Sequence, residues 1–426
     1  MVNYIINKRK EKMEKYKRVR GMHDILPDES KKWNLFEKEG RQISELFGFE
    51  EIKVPVVEEK GLFEKGVGEE TDIISKEIYC FKDRKGRDIA LRPEGTTPVV
   101  RAYIENQIYL KEKISRLYYY GPMFRYDRPQ KNRYRQFYHF GVELFGGGNA
   151  YFDGEIINLL SSIFKKVNIE NYYFSINSLG CLNCKLMYSE KLKNYFQNFK
   201  EQICDDCKVR LEKNPLRVLD CKNRNCKEIS KNAPSVLDIL CDNCKIHFEK
   251  VIEYLNDVNI NFKIDKNLVR GLDYYTKTVF EAFVENGESA VAGGGRYDNL
   301  VQQLGGPDIP AVGFAIGMER IIPYIKQVKL EEPIYCIFIG EKAKLWGVKN
   351  LSILREHNIK IVFDFEDRDL SSHLKILNRE KKKWCIIIGE NEIQNNQIIL
   401  KDMENGTQFL INEKDIVKEI KEKIKC

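Results

Sequence analysis

The sequence lacks the segments and motifs that would place it in several large classes of protein. None of its apolar runs reaches the roughly 18 residues that a membrane-spanning helix needs. The first residues are rich in lysine and contain no apolar core of a secretory signal, so we expect a cytoplasmic protein. The chain contains no GxxxxGK[ST], GxGxxG, GxSxG or HExxH motif. If the protein binds a nucleotide, it therefore does so without a P-loop or a Rossmann dinucleotide-binding motif.

The composition is that of a folded protein of ordinary balance. Of the 426 residues, 42% are hydrophobic and 32% are charged. These fractions exclude collagen-like, mucin-like and wholly disordered chains, and the length predicts two or three domains at about 150 residues each. With 71 Lys and Arg against 64 Asp and Glu, the net charge is +7, which permits a polyanionic partner without requiring one.

The hydrophobic pattern divides the chain into two folded parts, the first of which carries an insertion. We predict a basic N-terminal extension over residues 1–17 and a strand-rich main domain over 18–325. A helical, charged and cysteine-rich segment over 176–255 interrupts the strands and is interpreted as an inserted subdomain. Over 331–426, apolar strands such as WCIIIG alternate with amphipathic segments. This alternation predicts a small α/β domain with a mixed sheet.

Local patterns in the main domain predict a helix, an edge strand and a hairpin. Apolar residues recur at helical spacing over 31–48. Phe49–Val57 alternates like a strand, but Pro55 favours a sheet edge or an interface over a sheet centre. Residues 117–125 and Gln136–Phe145 read as strands joined by a polar, basic loop. They predict an antiparallel hairpin with a long basic tip.

Five segments carry side chains that suit a polar ligand: LRPEGTTPVVRAY (91–103), LYYYGPMFRYDRP (117–129), LVRGLDYYTKTVFEA (268–282), AGGGRYDNLVQQLGG (292–306) and PAVGFAIGMERII (310–322). The guanidinium forks of Arg125, at a strand end, and Arg320, in the first turn of a helix, can each bind a phosphate. The glycine run 293–295 is interpreted as a loop that opens a helix near Asp298, whose N-terminus would accept an anion. Taken singly, each segment also fits a structural role, such as a surface salt bridge, a helix cap or a core strand.

Eight of the twelve cysteines form four close pairs in the inserted segment: Cys181 and Cys184, Cys204 and Cys207, Cys221 and Cys226, Cys241 and Cys244. A chain of this size without a secretory signal does not favour disulfides. Cysteines spaced in this way can face one ion, and four thiolates make a closed structural zinc site. The pairs can be coupled into two such sites in three ways, and reduced thiols without metal are the alternative. The remaining cysteines are unrelated to these pairs: Cys80, Cys336, Cys385 and Cys426.

In this order and spacing, the five segments together resemble the histidyl-tRNA synthetases, which are class II aminoacyl-tRNA synthetases. The resemblance begins near Arg18; residues 49–66, 117–145 and 310–322 look like class II motifs 1, 2 and 3. LVRGLDYY and AGGGRYD look like the two signature segments of the histidine enzymes. The resemblance implies an α+β fold, with a class II antiparallel sheet as the catalytic core, a helical cysteine-rich insertion and a C-terminal α/β anticodon-binding domain.

The resemblance also implies an activity: ATP-dependent ligation of L-histidine to tRNA(His) through a histidyl-adenylate. Mg²⁺ would bind with the ATP. The enzyme would be a cytoplasmic homodimer. By similarity the catalytic arginines are Arg125, Arg270 and Arg320. The histidine site would comprise Glu94, Gly95, Thr96, Arg125, His139, Glu143, Arg270, Tyr274 and Tyr275. ATP would contact Arg125, Arg133, Phe137 and Arg320. The acceptor end of the tRNA would meet Arg128 and Gln130.

One residue departs from the family pattern, and one other function is compatible with much of it. His139 stands where the family usually has glutamine, and we expect its titration to make histidine binding depend on pH. The alternative function is that of a synthetase-like regulatory subunit of ATP phosphoribosyltransferase. Such paralogues usually lack the C-terminal domain and lose the ATP arginines, whereas this sequence has both.

Overall fold

The computed structural model describes residues 16–127, 133–285, 287, 289–326, 332–364 and 366–424. Most of the predicted N-terminal extension lies outside these residues, as do Arg128 and Gln130 of the basic loop. The chain forms two compact units, Met1–Val328 and Lys329–Cys426. No helix within the described ranges is long and apolar enough to cross a membrane.

An eight-stranded sheet forms the centre of the first unit. In spatial order its strands are β1 (Glu50–Glu51), β5 (Ser115–Phe124), β6 (Gln136–Phe145), β11 (Ala311–Gly317), β10 (Ala292–Arg296), β9 (Thr276–Val284), β7 (Tyr172–Ser178) and β8 (Phe262–Ile264). The two outermost pairs, β1 with β5 and β7 with β8, are parallel, and all other pairs are antiparallel. This sheet confirms the antiparallel core that the sequence predicted.

A smaller sheet and several helices complete the first unit outside the insertion. The small sheet has the order β2 (Val57–Glu59), β4 (Asp88–Leu91) and β3 (Tyr79–Lys82). The helices are α1 (Pro27–Leu46), α2 (Lys60–Val67), α3 (Thr96–Glu105), α4 (Ala150–Lys166), α9 (Leu300–Gln303) and α10 (Met318–Ile321). The strand predicted over Phe49–Val57 is broken into β1 and the start of β2, on either side of Pro55, and β1 lies at the edge of the large sheet as expected.

The hairpin of β5 and β6 determines which side chains face the site. It has the predicted boundaries within two residues, and Gln136–Phe145 is matched at both ends. Because side chains alternate along a strand, Phe137, His139 and Glu143 share one face of β6. Glu143 is paired with Leu117 on one neighbouring strand and with Gly313 on the other. The centre of the sheet therefore presents a polar side chain beside a glycine.

The glycine run was predicted incorrectly as a loop. Gly293, Gly294 and Gly295 belong to β10, which lies between β9 and β11 near the middle of the sheet. A Cβ on Gly294 would collide with the carbonyl oxygen of Gly313 on β11, and Gly295 has a φ of 154° beside a bulge. Close approach of the backbones, not a turn, therefore requires these glycines. The helix expected from about Asp298 is only the four-residue α9.

The insertion between β7 and β8 is helical, as predicted. Its helices are α5 (Leu182–Gln197), α6 (Asp205–Lys213), α7 (Arg224–Lys231) and α8 (Asp242–Asp257). Tyr188, Leu192 and Phe196 on α5 are fully buried in a core shared with Leu211 of α6. The insertion thus has apolar packing of its own and is continuous with the main core on one side.

The second unit is a mixed sheet with helices, which confirms the predicted α/β domain. Its strands, in spatial order, are β13 (Ile361–Phe363), β12 (Ile334–Phe338), β14 (Trp384–Ile388), β15 (Gln397–Asp402) and β16 (Gln408–Asn412). Its helices are α11 (Glu341–Glu356), α12 (Leu370–Arg379), α13 (Glu390–Gln394) and α14 (Ile416–Ile424). The first three strands are parallel and the last two form an antiparallel hairpin, which the sequence analysis did not identify.

A buried charge network joins α4 to the central strands. The fully buried Arg296 donates from Nε to Asp153 Oδ1 at 2.9 Å and from Nη1 to the carbonyl of Gly147 at 2.8 Å. Asp153 also accepts from Thr278 Oγ1 at 2.6 Å and pairs with His247 Nε2 at 2.7 Å. Burial opposes ionisation of Asp153, but Arg296 and His247 outweigh it and lower its pKa. The buried positive charge of Arg296 and the buried negative charge of Asp153 thus compensate each other.

We predict that Arg296→Met destabilises the first unit by about 3–5 kcal/mol, because it leaves the buried Asp153 carboxylate without its main partner. Calorimetry should show the melting temperature lowered by several degrees. The matched control is Lys326→Met, which breaks an exposed pair with Glu170 at 3.0 Å and should change stability by at most about 0.5 kcal/mol. Equal shifts for both variants would contradict the role given to Arg296.

Candidate active site

A cavity of about 340 Å³ lies against the large sheet, and it brings together every site residue that the sequence marked for histidine or ATP and that the structure describes. These residues are Glu94, Gly95, Thr96, Arg125, Arg133, Phe137, His139, Glu143, Arg270, Tyr274, Tyr275 and Arg320. They come from positions far apart in the chain and from five different strand, helix and loop segments. Their convergence in one cavity is a property of the fold that no single segment indicates.

Two of the arginines are fixed by backbone carbonyls. Arg125 follows β5 and donates from Nε to the carbonyl of Pro93 at 2.8 Å; its guanidinium carbon lies 5.3 Å from the centre of the Phe137 ring. Arg320 lies in α10, directly after β11, and donates from Nη1 to the carbonyl of Ala290 at 2.9 Å. Because a guanidinium has five donors, each side chain keeps others for a ligand.

The arginines are close enough to repel one another. Burial lowers the pKa of Arg320, and the neighbouring guanidinium groups of Arg133, Arg125 and Arg270 lower it further, although Glu281 opposes them. An arginine side chain nevertheless stays charged at neutral pH. Like charges gathered in a partly desolvated cavity are stabilised by an anion, and several together suit a ligand with several negative charges.

Arg270 is positioned by one carboxylate and one glycine. It lies between β8 and β9 and forms an ion pair with Glu281 of β9. The ideal Cβ of Gly293 would lie 2.5–2.6 Å from three atoms of the Arg270 guanidinium, so any larger residue on β10 would displace it. Glycine is therefore required at position 293 by the approach of a side chain to the sheet.

A buried carboxylate forms the polar centre of the other part of the cavity. Glu143 accepts a hydrogen bond from Thr96 Oγ1 at 2.7 Å and another from the hydroxyl of Tyr297. Burial raises its pKa to about 8, helped by the nearby Glu94 carboxylate and opposed by the two hydroxyl donors. Any residue with a Cβ at Gly313 would collide with the Glu143 carboxylate. The group is held in place and can exchange a proton near neutral pH.

Glu94 has a structural role at the start of α3. Its carboxylate accepts from the backbone N–H groups of Thr96 at 2.7 Å and Thr97 at 2.9 Å, at the N-terminus of α3. Gly95 is the N-cap residue of this helix. A negative charge at this end of a helix is favoured by the helix dipole. Glu94 is also part of the cavity wall, so capping does not remove it from the site.

Aromatic rings close the cavity around Glu143. The ring centres of Tyr274 and Tyr275 are 4.7 Å apart, and those of Tyr274 and Tyr297 are 5.5 Å apart. Tyr119 occupies the space that a Cβ on Gly95 or on Gly141 of β6 would need. The hydroxyls give this apolar enclosure a few polar groups at fixed positions, which is the usual composition of a site for a small polar molecule.

His139 is neutral in this environment. It stands between Phe137 and Gly141 on β6, and its ring centre is 5.1 Å from that of Phe137. Burial and the charges of Arg125 and Arg320 hold its pKa well below the ordinary range. The expectation that titration of His139 makes histidine binding depend on pH is therefore wrong: burial is the largest cause of the lowered pKa, and four nearby arginines add to it.

Several wall residues were missed by the sequence analysis. Tyr297 donates a hydrogen bond to Glu143, and Glu281 forms the ion pair with Arg270. Tyr119 fills the space beside Gly95 and Gly141. Tyr297 and Tyr119 do lie within the quoted segments AGGGRYD and LYYYG. The signal was present, but nothing in one sequence distinguishes a tyrosine that faces the site from its neighbours.

The insertion also contributes to the cavity wall. Asp220 and Lys222, which flank Cys221, line the cavity, as does Arg217. Arg217 donates from Nη2 to the carbonyl of Gly271 at 2.9 Å and from Nη1 to that of Glu70 at 3.0 Å. The cysteine-rich segment therefore lies beside the site, against the loop that carries Arg270.

The eight cysteines of the insertion assemble into two groups of four. One group contains Cys181, Cys184, Cys241 and Cys244, and the other contains Cys204, Cys207, Cys221 and Cys226. Within each group all Sγ atoms lie within 4.8 Å of one another. Of the three couplings that the sequence left open, the structure has this one. Cys80 is exposed, Cys336 and Cys385 are buried in the second unit, and Cys426 lies outside the described residues.

Comparison with known proteins identifies a family model for each of the two units. The family model "Histidyl-tRNA synthetase" matches residues 21–187 and 216–321, and "Anticodon binding domain" matches 334–423. The histidine–tRNA ligases of Thermoanaerobacter pseudethanolicus and Natranaerobius thermophilus are each 44% identical to this chain, over 95% of it and 99% of the relative. Apo histidyl-tRNA synthetase of S. aureus is 34% identical, with a TM-score of 0.79 over 95% of this chain and 99% of that one. The chain belongs to the histidyl-tRNA synthetase family.

Proposed function

We propose that the protein is a histidine–tRNA ligase. It activates L-histidine with ATP to histidyl-adenylate, releases pyrophosphate, and then transfers the histidyl group to tRNA(His) with release of AMP. The observation that carries this proposal is the meeting of two unlike subsites in one cavity. One is the group of arginines around Arg320, which suits a triphosphate, and the other is the enclosed carboxylate of Glu143, which suits an imidazole.

The arginines would bind ATP and stabilise charge as it moves. In this proposal Arg125 and Arg270 contact the α-phosphate, Arg320 contacts the γ-phosphate, Arg133 lies near the phosphates and Phe137 stacks on the adenine. The histidine carboxylate attacks the α-phosphorus in line and pyrophosphate leaves. A carboxylate is already deprotonated at neutral pH, so no general base is needed. The protein acts by positioning and by preorganised positive charge.

Mg²⁺ bound together with ATP is the cofactor that we propose for this cavity. Mg²⁺ prefers oxygen donors and usually keeps several waters when it binds to substrate phosphates. Several carboxylates line the cavity, Glu77 and Glu281 among them, and these could supply oxygen ligands beside the phosphates. Bound Mg²⁺ would neutralise charge on the β- and γ-phosphates. Zinc in the cysteine-rich insertion belongs to the same proposal.

The partners of the reaction follow from the family. We propose a homodimer with Pro55 at the interface, because residues 49–66 look like the class II segment that forms it. Residues 331–426 would bind the anticodon region of tRNA(His), and Arg128 and Gln130, which lie outside the described residues, would meet its acceptor end. The working location would be the cytoplasm, where ribosomes consume the charged tRNA.

Histidine would be recognised through both ring nitrogens and the α-amino group. Glu143 would take one ring nitrogen and Tyr275 the other, with Tyr274 lining the pocket. Glu94, Gly95 and Thr96, together with a neutral His139, would surround the α-amino end. A site built to pair buried polar groups rejects analogues that leave them unpaired. Other apolar and aromatic amino acids would leave Glu143 without its partner.

The regulatory-subunit alternative is less well supported. The family match to an anticodon-binding domain over 334–423 speaks for a tRNA partner. The arginines that a non-catalytic paralogue has no reason to keep all line the cavity. His139, in place of the glutamine usual in the family, is the one sequence feature that favours the paralogue. As a neutral ring it still offers one donor and one acceptor, so it does not exclude catalysis.

The decisive test is ATP–pyrophosphate exchange by the purified protein with each of the twenty amino acids. We expect exchange with histidine alone, because only histidine pairs both Glu143 and Tyr275. Charging of a tRNA(His) transcript with radiolabelled histidine then tests the transfer step. A folded protein that binds histidine but shows no exchange would contradict the proposal and favour the regulatory alternative.

We predict that Glu143→Gln lowers histidine-dependent exchange by about 10²–10³-fold, the loss typical of one preorganised polar partner. Stability should not fall, because the change removes a buried carboxyl whose pKa is raised to about 8 by burial. Kinetics and the melting temperature of the same preparation measure both effects. Glu170→Gln on the surface is the control and should leave both unchanged. A parallel loss of stability and activity would assign Glu143 a merely structural role.

His139 should contribute no pH dependence between pH 6 and pH 8. Its pKa is lowered by burial and by the arginines, so its ring is neutral at both values. We therefore predict that the ratio of the histidine KM at pH 6 to that at pH 8 is the same in the wild type and in His139→Gln. The substrate's own imidazole titrates equally in both proteins and cancels. A ratio that changes with the substitution would show that His139 does titrate.

A further inference from the structure

We propose that each group of four cysteines binds one zinc ion, and that the two ions hold the insertion against the active-site loop 268–275. We name Cys181, Cys184, Cys241 and Cys244 the first cluster, and Cys204, Cys207, Cys221 and Cys226 the second. The metal sites stand on the cysteine geometry alone. Their effect on the active site rests on the proposed function.

The sulfur geometry is that of metal ligands. The Sγ atoms of Cys181 and Cys184 are 3.7 Å apart, and so are those of Cys204 and Cys221. Four sulfurs arranged tetrahedrally about zinc, with Zn–S bonds of about 2.3 Å, lie about 3.8 Å from one another. A disulfide would need a separation of about 2.05 Å. The arrangement therefore matches a shared ion and not a covalent bridge.

Helix ends add a favourable field to each cluster. Cys181 and Cys241 are the N-cap residues of α5 and α8, which meet at the first cluster. Cys204 is the N-cap residue of α6, and Cys226 lies in the first turn of α7, so the second cluster also joins two helix N-termini. Zinc with four thiolates carries a net charge of −2. The positive ends of two helix dipoles stabilise such a charge.

Backbone N–H groups point at sulfurs in both clusters. In the first cluster, the N–H of Cys181 donates to Cys244 Sγ at 3.1 Å and that of Cys241 donates to Cys184 Sγ at 3.3 Å. In the second, the N–H of Cys204 donates to Cys226 Sγ at 3.2 Å. Donors of this kind stabilise thiolates in metal sites by holding negative charge on sulfur. The reciprocal pair is a feature of the first cluster, and each cluster has at least one such donor.

The first cluster is joined to the active-site loop through α5. Lys185, which follows Cys184, donates from Nζ to the carbonyl of Asp273 at 2.7 Å. Just before Cys181, the backbone of Gly180 accepts from Lys277 N at 2.7 Å. Asp273 lies three residues from Arg270 on the loop. The position of the first cluster therefore determines where one end of this loop is held.

The second cluster is joined to the same loop through the chain between Cys207 and Cys221. Asn214 donates to Asp273 Oδ1 at 3.0 Å, and Arg217 donates to the carbonyl of Gly271 at 2.9 Å. Arg210 adds a bond to Asp72, on the cavity wall, at 2.8 Å. Apolar side chains of this segment, such as Leu211 and Val218, pack into the shared core, and an ion bound by Cys207 and Cys221 would fix the segment at both ends as well. We infer that the ions keep Arg270 in position.

The first experiment measures metal in the purified wild-type protein, prepared without added zinc or chelator. Inductively coupled plasma mass spectrometry should find about two zinc ions per chain. A mercurial reagent that modifies thiols should release both, as measured with a chromophoric zinc indicator. Eight thiols that react freely in the native protein without zinc, a stoichiometric iron content, or disulfides in place of zinc would each overturn the proposal.

Variants then test the coupling of the cysteines. Cys184→Ser and Cys207→Ser should each lower the zinc content from two ions to one, because they remove one ligand from different clusters. Cys80→Ser, outside both clusters, is the matched control and should keep two ions. Loss of both ions in either variant, or of none, would contradict two separate sites. Cobalt substitution of the wild type, read from thiolate-to-metal charge-transfer bands, tests the ligand set without any variant.

Kinetics test the link to the active site. In the exchange assay, Cys207→Ser should lower kcat/KM for histidine at least tenfold, whereas Cys80→Ser should not change it. An unchanged kcat/KM in a variant that has lost its ion would refute the positioning role. If the wild type holds two zinc ions but exchanges no amino acid, the proposed function fails and the metal sites stand. If the wild type contains no zinc but catalyses histidine-dependent exchange, the metal sites fail and the proposed function stands.

Discussion

The site depends on keeping several positive charges close together in a partly desolvated cavity. Arg320 lies near Arg125, Arg133 and Arg270, and burial, followed by the charges of these neighbours, lowers its pKa. The fold opposes the repulsion between these charges with backbone carbonyls that fix Arg125 and Arg320, and with the Glu281 carboxylate that pairs with Arg270. The charges are thereby fixed before a ligand arrives. An electrostatic site gains most when its dipoles and charges need no rearrangement during the reaction.

The sheet can carry this site only because glycine replaces larger residues at the points of closest approach. Gly293 leaves room for the Arg270 guanidinium, and Gly313 leaves room for the Glu143 carboxylate. The two positions lie on the adjacent strands β10 and β11. Glycine in strands reduces local stability by roughly 0.5–1 kcal/mol each relative to alanine. The buried network around Arg296 and Asp153, which joins the far end of β10 to α4, stabilises the same region.

Sequence patterns predicted the strands and helices whose hydrophobic periodicity is strong. They failed where one residue type, such as glycine, occurs in two kinds of structure. The alternation in Gln136–Phe145 and the basic loop before it predicted the hairpin, and the resemblance identified twelve residues that all line the cavity. The glycine run was misread because glycine is typical of loops, whereas here it allows strands to approach. The coupling of the cysteines and the contact of Tyr297 with Glu143 depend on residues distant in the chain. No local pattern contains that information.

The raised pKa of Glu143 has a consequence for how an imidazole would be bound. With a pKa of about 8, the carboxyl of the empty cavity holds a proton at neutral pH, while a free imidazole, with a pKa near 6.5, does not. The pair therefore brings one proton to the complex. That proton can lie on either partner of a hydrogen bond, and no net proton is taken up or released on binding. Between these two pKa values the affinity of this subsite for an imidazole is thus independent of pH. Burial of the carboxyl raises its pKa above that of the imidazole, and this difference is what allows the two groups to share one proton.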